Sequence, residues 1–359
     1  LSAPVIYDLN SDGENEIIYT DYNYSGAGCA IYAHNESYSD IDGFPIDLAD
    51  CSRDGLSIVV AESSNSYIAF GDDSGNLYLY TVSGGIVDGF PLSLGAQIKS
   101  KPAIIYDNED IYIVVSDGDG AIHLVSIDGS VHIVRTFDQI VSDPIITKNN
   151  AIIAGSAAGI IYKYDLELSV LETFTFNGLS NTPFASVDVD NDDQEDIVVI
   201  DDEGLLHIIY NYGLVESYDI GSNNLPLSGL TVADTDNDND PEVVFGTASG
   251  IYAFDIKSNH GDFSGHWFSY GGNYDNLGSG MYFGCTEAGS CNYNSAALFN
   301  NGLCRQPDCS GSCDTNFSID CAGICNGTTV IDCNGVCDGT SVMDSNNECC
   351  DELQSWYLD

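Results

Sequence analysis

The chain has 359 residues, 43% of them hydrophobic, enough for one large or two ordinary domains with buried cores and too many for a disordered chain. Against 56 Asp and Glu stand 8 Lys and Arg, a formal net charge of −48 that repels nucleic acid and anionic membrane surfaces. Such self-repulsion destabilises a compact state unless salt screens it or bound cations neutralise part of it. No apolar run approaches the roughly eighteen residues of a membrane span, so membrane insertion is not expected. The sequence opens at Leu1 without a basic and apolar leader, and a signal peptide already removed is the expectation. Of the 13 Cys, all but Cys29 and Cys51 fall at or after Cys285; this reads as a disulfide framework and therefore as a secreted, extracellular, cell-surface setting.

Taken in chain order, six segments each open with Gly and continue as an aromatic-rich apolar strand. They are GCAIYAHN from Gly28, GNLYLYT from Gly75, GAIHLVS from Gly120, GIIYKYD from Gly159, GLLHIIY from Gly204 and GIYAFD from Gly250, at spacings of 47, 45, 39, 45 and 46 residues. DGFPIDL (Asp42 to Leu48) and DGFPLSL (Asp88 to Leu94) recur 46 residues apart, and X-Pro strand openings stand at Pro4, Pro102, Pro144 and Pro183. Each period holds about four β-type runs separated by Gly, Asn and Asp turns. In the fifth they are Phe184 to Val189, Asp196 to Asp201, Leu205 to Tyr210 and Val215 to Ile220. Four-stranded units at this period predict an all-β, six-bladed propeller over residues 1–283. A β-sandwich also has short strands and turns, but it does not repeat one Gly-strand motif in register.

Three units carry an acidic loop between their first two strands: DLNSDGENE (Asp8 to Glu16), DVDNDDQED (Asp188 to Asp196) and DTDNDNDPE (Asp234 to Glu242). Oxygen-bearing side chains stand at loop positions 1, 3, 5 and 9: Asp8, Asn10, Asp12 and Glu16; Asp188, Asp190, Asp192 and Asp196; Asp234, Asp236, Asp238 and Glu242. Position 7, here Glu14, Gln194 or Asp240, adds a backbone carbonyl. Alternate residues of a tight loop converge on one point, and Ca²⁺ takes six to eight oxygens from such a cluster. The closing acid falls at position 9, not 12, and both flanks are strands, so these loops are not EF-hands. Solvated Asx-rich turns are the plainer reading, but carboxylates crowded this closely, three times at one topological position, favour calcium. Asp107 to Asp110 is a shortened version, and no ion is assigned to units two to four.

The pattern of a β-run, D-x-[DN]-x-D-x-x-x-[DE] and a second β-run such as IVVID or EVVFGT resembles the FG-GAP (VCBS) repeat family, also seen in integrin α-subunit propellers. That resemblance implies calcium ions that rigidify the inter-strand loops of an extracellular propeller used for adhesion or ligand display.

Residues 284–359 are expected to form a separate disulfide-stapled tail. From Cys309 the chain runs DCSGSCDTNFSI, DCAGICNGTTVI and DCNGVCDGTSVM, a twelve-residue period with C-x₃-C pairs at Cys309/Cys313, Cys321/Cys325 and Cys333/Cys337. Zinc also binds paired Cys, but the tail contains no His and the setting is oxidising, so disulfides are favoured and their connectivity stays open. The preceding GCTEAGSCNYNSAALFNNGLC (Gly284 to Cys304) resembles a module placed near the end of secreted bacterial surface proteins. Cys29 and Cys51 are candidates for one isolated bridge.

The six His (His34, His123, His132, His207, His260, His266) are scattered, and His123 and His207 occupy equivalent strand positions, which points to sheet packing. No G-x-S-x-G, H-E-x-x-H or phosphate-cradling glycine loop is present, and the regularly spaced acids are accounted for by calcium, so no enzymatic activity is expected. The expected function is a calcium-stabilised structural or adhesive surface protein, in its most specific form the subunit of an extracellular fibre that assembles through propeller–tail contacts. Its partners would be further copies of the chain or other cell-surface proteins and glycans, the terminal cluster Leu353, Trp356, Tyr357 and Leu358 supplying an interface. A lectin-like propeller is the alternative, with stacking platforms drawn from the 22 Tyr, and a polysaccharide-active enzyme ranks third.

Overall fold

The computed structural model describes residues 3–257 except 11, 23–28, 53, 62–64, 108–109, 136–138, 141, 180–183, 191, 193, 223, 228 and 237–239. Beyond these it describes 272, 278, 283–284, 288–290, 299–300, 307, 309–311, 320–322, 324–325, 329, 331–338, 341–343 and 349–350. The chain divides into two compact units, Leu1–Tyr282 and Phe283–Asp359.

Successive antiparallel meanders build the first unit. Sheet one is β1 (Val5–Tyr7), β2 (Glu16–Tyr22), β3 (Cys29–His34) and β4 (Ile46–Leu48); sheet two is β5 (Leu56–Ala61), β6 (Asn65–Gly71), β7 (Asn76–Thr81) and β8 (Leu92–Ser93). Sheet three is β9 (Ala103–Asp107), β10 (Asp110–Ser116), β11 (Ala121–Ser126) and β12 (Val131–Arg135); sheet four is β13 (Ile145–Ile146), β14 (Ile152–Gly155), β15 (Ile160–Tyr164) and β16 (Val170–Thr175). Sheet five is β17 (Phe184–Val187), β18 (Asp196–Ile200), β19 (Leu205–Ile209) and β20 (Val215–Asp219). Sheet six has three strands among the described residues, β21 (Leu230–Ala233), β22 (Glu242–Thr247) and β23 (Gly250–Asp255); the stretch where its fourth is expected lies outside them. First strands neighbour one another from sheet to sheet, β1 with β5, then β9, β13, β17 and β21 in turn. Six such sheets standing side by side are the blades of a β-propeller.

Apolar side chains fill the spaces between blades. Val59, Leu79, Ile104 and Val115 pack between blades two and three, and Val187, Val198, Ile208, Val232, Val243 and Phe245 between five and six. Each such side chain contributes about 1.5–3 kcal/mol by leaving water. β18 (DIVVI) is buried at every position because a blade covers each of its faces, whereas the outer strand β20 (VESYD) is exposed at alternate residues.

The recurring Gly marks one turn, which joins the second strand of a blade to the third. Gly75, Gly120, Gly159 and Gly204 have φ between +80° and +84°, which a side chain would strain. Each donates its amide to the residue three before it, Asp72, Asp117, Ser156 or Asp201. In blades two, three and five that Asp then accepts the amide of the residue after the Gly, at 2.7, 2.9 and 2.9 Å. The Gly carbonyls of blades two, four and five accept an amide from the end of the fourth strand or just past it, from Leu94, Phe176 and Ile220. A Cβ at Gly159 would stand 2.3 Å from the Phe176 carbonyl oxygen.

In the first unit Cys29 and Cys51 are bridged, tying the start of β3 to the segment after β4. In the second unit the bridges Cys309–Cys325 and Cys321–Cys337 each span 16 residues. There β24 (Phe283–Gly284) pairs with β25 (Phe299–Asn300) in parallel, and β26 (Val342–Met343) with β27 (Cys349–Cys350) antiparallel. No helix among the described residues is long and apolar enough to cross a membrane.

Candidate metal centres

All three acidic loops connect the first strand of a blade to its second. In each, the position-9 acid begins the second strand, is buried, and reaches back across the loop to the position-2 amide. Leu9 N donates to Glu16 Oε2 at 2.8 Å, Val189 N to Asp196 Oδ2 at 2.9 Å and Thr235 N to Glu242 Oε2 at 2.6 Å. Glu16, Asp196 and Glu242 are 0%, 0% and 4% exposed. One bond thus closes each loop and fixes a carboxylate at its floor.

Above that floor the loops differ. In blade five, one carboxylate oxygen from each of Asp188, Asp190 and Asp196 lies within 4.8 Å of the others, and Asp234, Asp236 and Glu242 form the same group in blade six. Two oxygens facing each other across a calcium ion stand roughly 4.6–5.2 Å apart, so both groups match the span of one coordination shell. Glu16 Oε1, Asp190 Oδ1 and Glu242 Oε1 are buried and have no hydrogen-bond partner among the described residues. An unpaired carboxylate oxygen costs about 1–3 kcal/mol or more, and a hard cation is the ligand that relieves it. The donor set is oxygen only, as calcium requires and as thiophilic metals do not.

The other residues named from the sequence fall as follows. Asp12 and Asp192 sit at the loop tops, where their Oδ1 atoms accept the amides of Glu14 and Gln194 at 2.9 Å. Asn211, on the β19–β20 turn, donates its side-chain nitrogen to Asp192 Oδ2 at 3.0 Å and its amide to Asp196 Oδ1 at 2.9 Å, and Tyr212 OH donates to Asp190 Oδ2 at 3.2 Å. Asp8 accepts the amides of Asp12 at 3.1 Å and Gly13 at 3.0 Å, while Asn10 Oδ1 accepts that of Asp12 at 2.9 Å. Position 3 of this first loop is an amide, and among the described residues the loop does not gather three carboxylate oxygens within 4.8 Å. The Asp240 side chain meets Lys257 Nζ at 3.3 Å, and Asp238 lies outside the described residues.

Charge crowding is evident at the floors. Burial, with repulsion from Asp190 and Asp188, pushes the Asp196 carboxyl up to about 6 despite the two amides that donate to it. Burial likewise raises Glu16, with Asp12 and Asp8 adding repulsion. A cation among these oxygens would reverse that pressure.

Asn211 and Tyr212 were not readable as part of the loop system, because they belong to a turn 15 to 22 residues away from the acids they contact. His123 and His207 are buried and donate Nε2–H to the Asp of the preceding Gly turn, Asp117 at 2.8 Å and Asp201 at 3.1 Å, the packing role their equivalent positions predict. His207 Nδ1 also meets Ser217 Oγ at 2.8 Å.

No protein-family model matches the chain, and no curated protein matches it. Among solved structures it is similar to BBS1N in complex with ARL6DN, from crystals soaked with mercury: 14% identity, 73% of this chain and 95% of that one, TM-score 0.52. The same complex soaked with lead gives 14% identity over 70% and 91% of the two chains, TM-score 0.50. BamB from Moraxella catarrhalis aligns at 15% identity over 73% and 84%, TM-score 0.41. At these identities the likeness to BBS1N speaks for the propeller fold alone.

Proposed function

We propose that this chain is a calcium-stabilised propeller of the FG-GAP (VCBS) kind, secreted to the cell surface, where it serves as a structural or adhesive scaffold and not as an enzyme. The observation that carries the reading is the loop floor built three times: a buried acid at position 9, closed onto the position-2 amide, with a buried carboxylate oxygen in each loop that has no partner among the described residues. Calcium held there ties the first and second strands of blades one, five and six together at one end. Disulfides in both units fit an oxidising environment, and a net charge of −48 is best tolerated where divalent ions and salt are abundant.

Propeller–tail contacts between copies, producing a fibre, are the most specific form of this scaffold role. Lectin-like binding is the second reading, and one observation favours it: Tyr19 and Tyr32 stack at 5.4 Å on a half-exposed face of blade one, beside His34. Phe70, Tyr78, Tyr80 and Tyr164, by contrast, are buried packing residues.

The test is thermal unfolding with calcium and with chelator. Extracellular modules bind with Kd of about 10⁻⁴–10⁻³ M, and at a hundredfold excess each site adds about 2.7 kcal/mol. Three sites together raise Tm by about 10–20 °C. An unchanged Tm in EGTA at moderate salt overturns the reading, and glycan-array binding in calcium decides between scaffold and lectin.

A further inference from the structure

We infer that the tail is stapled by a staircase of disulfides in which each repeat is bridged to the next, and that its last rung joins Cys333 to Cys349. Two rungs are formed in the second unit. Cys309–Cys325 and Cys321–Cys337 each span 16 residues with Cα atoms 5.4 Å apart, so the first Cys of one twelve-residue repeat meets the second Cys of the next. None of the three C-x₃-C pairs closes on itself.

The backbone repeats with the rungs. Asp320 N donates to the Ile324 carbonyl and Asp332 N to that of Val336, both at 2.9 Å. Asp320 Oδ1 accepts Ala322 N at 3.0 Å and Ile324 N at 2.8 Å; Asp332 Oδ1 accepts Asn334 N at 3.0 Å and Val336 N at 2.8 Å. Nine residues on, Oδ2 accepts Thr329 N at 3.2 Å in one repeat and Ser341 N at 3.3 Å in the next. Units with the same internal bonds and the same inter-unit bridge carry the register forward, and 16 residues past Cys333 is Cys349.

The sequence shows where the staircase stops. After DCSGSC, DCAGIC and DCNGVC comes DSNNEC, Asp344 to Cys349. This fourth repeat keeps the Asp and the second Cys, which receives the rung from Cys333, and has Ser345 in place of the Cys that would send another onward. At the other end, 16 residues before Cys313 stands Ala297, so no rung precedes Cys309–Cys325. Cys333 is disulfide-bonded, and β27 carries Cys349 opposite Met343. Closing the rung oxidises two thiols: Cys333 and Cys349 each lose a proton, and two electrons pass by thiol–disulfide exchange to a disulfide oxidant that leaves as its dithiol. Cys350 lies outside the repeat and outside the staircase.

Non-reducing peptide mapping of the full-length chain, with free thiols alkylated before digestion, tests the rung. The expected result is a cross-linked peptide whose fragment ions join Cys333 to Cys349. A bridge from Cys333 to Cys350, or to any other Cys, overturns the inference. Cys350→Ser is expected to keep the cross-link and Cys349→Ser to lose it; the opposite pattern also overturns it, and the wild-type map decides if a variant does not fold.

Discussion

Replacing Asp196 by Asn separates a calcium ligand from a hydrogen-bond acceptor, because the two roles predict opposite signs. A carboxyl raised from 3.8 to about 6 costs about 3 kcal/mol when ionised near neutral pH. Asn removes that charge, but its NH₂ must face either Val189 N or Asn211 N, both of which now donate to the carboxylate. One buried amide loses its acceptor, a cost of about 1–3 kcal/mol. The balance in chelator is a variant between neutral and about 2 kcal/mol more stable than the wild type. With calcium at about a hundredfold excess over Kd, the wild type gains about 2.7 kcal/mol at this site. A variant that no longer binds then falls about 1–3 kcal/mol below it. Urea unfolding at pH 7.5, in EGTA and in calcium, measures both differences. A variant equally destabilised in both buffers refutes the ligand role and leaves Asp196 as a structural acceptor.

The same carboxylates set a pH dependence that calcium inverts. In chelator the folded state holds the Asp196 proton more tightly than the unfolded state, so this contribution is fully present below about 3.8 and is lost as pH rises through about 6. Unfolding free energy without calcium should therefore rise as pH falls from 7 towards 5, whereas with calcium it should fall as protons compete for the ligands; parallel profiles would contradict the site. Gly278→Ala should cost about 1–3 kcal/mol or more by urea unfolding, since φ is +82° and a Cβ would stand 2.2 Å from Ser57 Oγ; a neutral result refutes that packing. His123→Ala should cost about 2–4 kcal/mol by removing the buried partner of Asp117, whereas exposed His132→Ala should stay within about 0.5; similar losses would contradict the packing role.

Much of the blade architecture was legible because one physical requirement recurs. The turn after each second strand needs a residue at positive φ, so Gly75, Gly120, Gly159 and Gly204 repeat at blade spacing and announce the strand that follows. Strands of blade five begin at the residues the sequence indicates and end one or two earlier. The loop acids were legible from alternate spacing, and their convergence at positions 1, 3 and 9 in blades five and six follows from it. What the spacing does not contain is the third dimension. Asn211 and Tyr212 reach the blade-five loop only because the β19–β20 hairpin folds beside it, and Asp117 and Asp201 meet their His across a turn. Disulfide partners were equally hidden, since a C-x₃-C repeat is compatible with bridges within a unit or between units, and backbone register alone selects the latter.

Calcium occupancy is the most direct measurement. Isothermal titration of chelator-stripped protein should give three calcium ions per chain, with one lost in each of the variants Glu16→Gln, Asp190→Asn and Glu242→Gln, and with magnesium competing weakly because it dehydrates reluctantly and demands near-ideal octahedral geometry. No binding heat at millimolar calcium, or a stoichiometry unmoved by those three substitutions, would contradict the assignment of the acidic loops as metal centres.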